Sequence, residues 1–165
     1  MKTISENMVH EVATAMLGLA PPAIEAMVEE MAAAQPELLG YVIALGETNY
    51  HACERELLLY LCVTVWRVMS GAATGIRRVG EQRIARVQEV NAQMVQFLDG
   101  EIGPDFARSV RLIVASYNQK DILKYLLETL SEEAAPGGSI RASSAGPMLL
   151  DLKTVVDCLD QEAQA

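Results

Sequence analysis

Three observations predict an all-α protein: a single-domain bundle of six or seven helices around one central buried helix at about residues 48–69, with a C-terminal helix on a linker. Apolar residues recur at helical spacing along nearly the whole chain. Hydrophobic residues make up 51% but aromatic ones only 5%, so the interior is built from Leu, Val, Ile, Met and Ala. Residues 57–66 are apolar on every side except at Thr64, and a helix of that kind must be surrounded by others. A chain of 165 residues is long enough to enclose one such core.

The elements follow in order. Thr3 and Glu6 have capping-box spacing ahead of a stripe of Met8, Val12, Ala15, Met16 and Leu19. Pro21 and Pro22 start a second helix carrying Ile24, Met27, Val28 and Met31, and Pro36 starts a third carrying Leu38, Leu39, Val42, Ile43 and Leu45. Gly46 suits the C-terminal cap of that third helix, and Thr48 or Asn49 the start of the central one, which Arg67 returns to water. Ser70 to Gly80 is soft. Beyond it Ile84, Val87, Val90, Met94, Phe97 and Leu98 mark a fifth helix ended by Gly100. Gly103 and Pro104 begin a sixth with Phe106, Val110, Ile113, Val114 and Tyr117, and Asn118 and Asp121 cap a seventh with Ile122, Leu123, Leu126, Leu127 and Leu130. Residues 1–135 thus form the bundle. Residues 136–147 have the Gly, Pro, Ser and Ala makeup of a flexible linker. Residues 148–161 form an amphipathic helix, with Leu149, Leu152 and Val156 on its apolar face, that docks on its own or a neighbouring chain.

Charge narrows the function classes. The formal net charge of −9 argues against nucleic acid as a partner. Residues 1–66 carry −7, residues 67–124 carry +3 and residues 125–165 carry −5. The middle therefore sets Arg67, Arg77, Arg78, Arg83 and Arg86 against an anionic remainder, either paired internally or offered to an acidic protein surface. Three cysteines are an odd number, and Cys53 and Cys62 lie about 13 Å apart along one helix, which points to a reduced, cytoplasmic chain. Glu6, His10 and Glu11 interrupt any signal-peptide core, and the apolar run is about half a membrane span, so no membrane association is expected.

The chemical candidates are few. On a continuous helix Glu47, His51 and Glu54 share one face, a plausible set for iron, manganese or zinc. Against this, neither histidine has the Glu-x-x-His spacing of two-metal bundles, and an exposed first turn explains the residues as well. Cys53 is nearly opposite His51, which excludes a thiolate–imidazole pair, and no nucleophile elbow, dinucleotide turn or phosphate loop occurs, so no cofactor is expected. Met8, Met16, Met27 and Met31 suit core filling or an adaptable apolar site. The leading expectation is a non-enzymatic interaction module (adaptor, regulatory subunit or inhibitor), binding a protein or a second copy of itself. A metal-dependent enzyme using Glu47, His51 and Glu54 comes second, and an apolar-ligand carrier third.

Overall fold

The computed structural model describes residues 1–99 and 113–164. The chain is all-α: α1 Glu6–Leu17, α2 Pro21–Ala34, α3 Pro36–Asn49, α4 Ala52–Ala72, α5 Glu81–Asp99, α6 Lys120–Glu133 and α7 Ala142–Glu162. Two two-residue strands, β1 Gly75–Ile76 and β2 Ala163–Gln164, pair antiparallel. The expected cap at Gly100 and helix start at Gly103 and Pro104, with Phe106 and Val110, lie outside the described residues, as do the side chains of Phe97 and Leu98.

The apolar run places α4 in the centre. Leu58, Leu61, Cys62, Val63, Thr64 and Val65 are buried, and Arg67 is exposed. Thr64 satisfies its hydroxyl by donating to the Tyr60 carbonyl at 2.9 Å, so it costs the core little. Prolines start α2 and α3 as the sequence implies.

The central helix begins later than residue 48. Gly46 does not cap α3; it lies buried inside it, where an added Cβ would sit 3.3 Å from the Arg55 Cγ. That close approach of α3 and α4 lets α3 continue to Asn49. Extended backbone at Tyr50 and His51 then breaks the chain direction, and His51 rather than Thr48 or Asn49 is the N-cap of α4. Two other caps also differ. Thr3 donates to the Asn118 side chain at 2.8 Å while Ser5 precedes α1, and Asn118 donates to Asp160 at 3.0 Å while Gln119 precedes α6. In each case a tertiary partner takes the side chain that local spacing would assign to a cap.

The largest correction concerns residues 136–147. Ala135 to Gly138 form a tight turn, with the Gly138 amide donating to the Ala135 carbonyl at 2.8 Å. Gly137 has φ +93°, and a Cβ on Gly138 would fall 2.0 Å from the Glu133 carbonyl oxygen, so the two glycines are a steric requirement. Residues 142–147 are already the first turns of α7 despite Pro147. This helix is no tethered appendage. Met148, Leu152, Val155, Val156, Cys158 and Leu159 are 0% exposed, packed against α4, α5 and α6.

The apolar arcs are narrower or rotated elsewhere. On α1 the buried positions are Val9, Ala13 and Met16, with Ala15 exposed. On α5, Val90 is 58% exposed and Asn91 takes the buried position, 1% exposed. Asn91 is there because α7 answers it: it donates to Thr154 and to Asp157, each at 3.1 Å, and accepts from Lys153 at 2.8 Å. Ile43, Val114 and Leu127 also face outward.

Candidate functional site

The three expected metal ligands are not brought together. Glu47 is exposed on the last turns of α3, His51 is exposed at the break, and Glu54 is buried at the third position of α4. The break at Tyr50 removes the common helix face on which the set depended. Among the described residues, no group of three His, Cys, Asp or Glu side chains is placed to hold a metal ion.

Glu54 has a different task. It accepts from the His51 amide at 2.9 Å, the reciprocal half of a capping box. It also accepts from the Arg141 guanidinium at 2.9 and 2.7 Å and from the Arg141 amide at 3.1 Å. This clamp ties the start of α4 to the start of α7. The Arg141 hydrogen bonds, with the Ser144 hydroxyl and the His51 amide adding to them, outweigh burial and hold the Glu54 carboxyl well below the usual carboxylate range. With both oxygens occupied, Glu54 has no lone pair aimed at an ion.

Of Arg67, Arg77, Arg78, Arg83 and Arg86, the first four are paired inside the molecule. Arg67 meets Glu30 at 3.4 Å, and Arg77 and Arg83 both meet Glu162 at 3.0 Å. Arg78 forms a two-pronged pair with Glu37. Arg86 is exposed with no ion-pair partner among the described residues. Partly exposed pairs of this kind add little stability, but among the described residues they leave no concentrated cationic face for an acidic partner. Leu152 and Val156 are in the chain's own core and Leu149 is half-buried against it, so these three do not form a free docking face.

Cys62 lies in the core, where burial pushes its thiol up to about 12. Met16 and Met31 are core residues, and Met8 and Met27 pack at its edge, so the methionine stripe fills the interior.

Two surface clefts lie among the described residues. One, of about 560 Å³, runs between α3 and α5 over Pro36, Gly40, Tyr41, Ala44, Ile84 and Ala85. Small residues keep it shallow and open; a Cβ at Gly40 would meet nothing within 4 Å. Glu81 and Gln88 line its α5 side, and Glu47, one turn beyond Ala44, continues the α3 face. The other, of about 400 Å³, lies where α3 ends against the first turns of α7 and is lined by Asn49, Tyr50, Arg141, Ser143, Leu150 and Asp151 among others. Here the Tyr50 hydroxyl donates to the Asp151 carboxylate at 2.6 Å. Burial raises the Asp151 carboxyl above its ordinary value, against the Tyr50 hydrogen bond, which lowers it.

No known family, characterised protein or solved structure matches this chain.

Tyr41 lines the first cleft, and its hydroxyl is buried; burial and the nearby Asp151 charge hold its phenol well above the ordinary range. Neither cleft was legible from spacing. Tyr50 and Asp151 are 101 positions apart. The one available signal was a proline and two serines at the head of a sequence with helical spacing, which composition assigned to a linker.

Proposed function

We propose that this protein is a non-enzymatic helical interaction module that seats a basic amphipathic helix of a protein partner in the groove between α3 and α5. The observation that carries the reading is that groove itself: an apolar trough floored by Gly40, Ala44 and Ala85, small enough for close helix approach, with the Glu81 carboxylate in its lining and Glu47 one turn beyond Ala44 on α3. Charge supports the choice of occupant. Arg67, Arg77, Arg78 and Arg83 are paired to Glu30, Glu37 and Glu162, while the net charge is −9, so a cationic segment is attracted and a second acidic copy repelled.

The test uses a designed 16-residue helical peptide with leucines on one face and lysines flanking them. Titration followed by amide chemical shifts should perturb Gly40, Ala44 and Ala85, and affinity should fall as salt rises. Gly40→Leu fills the trough without a clash and should weaken binding at least tenfold with the melting temperature kept. Equal binding by that variant, equal binding of a glutamate-flanked peptide, or association of the protein with itself at the same face would refute the reading.

A further inference from the structure

We propose that the cleft at the α3–α7 junction binds a small organic ammonium compound, held by the Asp151 carboxylate and the backbone carbonyl of Ser143. The cleft is rich in acceptors that the fold leaves unanswered. Asp151 uses Oδ2 to accept from Tyr50, whereas Oδ1 receives no donor and no cation among the described residues. Pro147, which also lines the cleft, has no N–H and so cannot return the helical hydrogen bond to Ser143 four positions before it. Asn49 adds an amide oxygen at the rim.

The charge balance selects a cation. Arg141 is the one cationic side chain in the lining, and its guanidinium is committed to Glu54 through two hydrogen bonds. That pair cancels, and Asp151 is left as the uncompensated charge. Burial already disfavours the bare carboxylate, so a partner supplying both N–H donors and positive charge gains more there than in open water. A volume of about 400 Å³ suits a small molecule. Leu150 and Pro147 offer apolar surface to a short carbon chain. This inference stands apart from the α3–α5 groove and needs no protein partner.

Putrescine is the probe, with 1,4-butanediol, tetramethylammonium and inorganic phosphate as comparisons, in calorimetric and amide-shift titrations. Putrescine should bind and shift Tyr50, Ser143 and Asp151; the diol lacks charge and tetramethylammonium lacks donors, so neither should. Asp151→Asn keeps an acceptor for Tyr50 and removes the charge, and should weaken binding at least tenfold. Pro147→Ala supplies the missing amide to Ser143 and should weaken it about threefold while raising the melting temperature. The proposal is overturned if putrescine gives no shifts at those residues at 10 mM, if phosphate is the ligand that binds, or if Asp151→Asn binds putrescine within twofold of the parent. The shift map on the parent protein decides the matter even if Asp151→Asn fails to fold.

Discussion

Leu152→Ala tests whether α7 belongs to the core or merely rests on it. Leu152 is 0% exposed, on the side of α7 that meets α4, α5 and α6. Removing three buried carbons there forfeits transfer free energy and leaves a cavity that three packed helices cannot readily close. The expected cost is about 3–5 kcal/mol, in the upper part of the range for leucine truncation. Against a total stability of about 5–15 kcal/mol that is a large fraction. For a chain of this size it corresponds to a fall of about 6–20 °C in melting temperature. Leu149→Ala is the internal control, because Leu149 is half-buried at the edge of the same helix and should cost about 1 kcal/mol. Urea denaturation followed by circular dichroism measures both. If Leu152→Ala costs under 1 kcal/mol, or no more than Leu149→Ala, then α7 is a loosely held segment and its place in the core is wrong.

Glu54→Gln should destabilise at neutral pH, and the difference from the parent should shrink on acidification. The sign follows from the depressed carboxyl: its contribution is fully present above the ordinary value of 4.5 and is lost as pH falls toward the lower folded value, a window read by melting temperature from pH 7 to pH 2. An aromatic disulfide reagent should modify Cys53 rapidly in the native protein, and Cys62 and Cys158 only on unfolding, since both are buried with thiols pushed up to about 12; fast reaction of all three would contradict the packing. Gly40→Ala should stabilise by about 0.5–1 kcal/mol, because a mid-helix glycine with open space above it gains only propensity. Gly138→Ala should do the opposite, lowering the melting temperature, because its Cβ has no room beside the Glu133 carbonyl. Little or no change there would mean that the turn after α6 is pliable.

The misplaced features share one cause. The face of Glu47, His51 and Glu54 required a helix that continues through Tyr50, and it breaks because Tyr50 reaches Asp151 and Glu54 reaches Arg141, contacts 101 and 87 positions apart. The segment at 142–147 has the makeup of a linker yet forms helix, since the following turns bury Met148 and Leu152 and Arg141 is clamped ahead of it. Val90 has the spacing of a core residue, but Asn91 takes the buried place through partners on α7. Local rules assign each side chain to its neighbours in sequence; a stronger distant partner overrides them.

What the sequence determined by itself was the helical class, the starts of α2 and α3 at their prolines, and the burial of Leu58 and residues 61–66, with Leu57, Leu59 and Tyr60 half-buried. Those follow from period, backbone restriction and transfer free energy, which depend on nearby residues alone. Only the tertiary structure decided where α3 stops, that α7 lies inside, that Arg67, Arg77, Arg78 and Arg83 pair with Glu30, Glu37 and Glu162, and that Tyr50, Asp151 and Ser143 face one cleft. These depend on which surfaces meet, and a hydrogen bond between residues a hundred positions apart leaves no mark on the local pattern of either one.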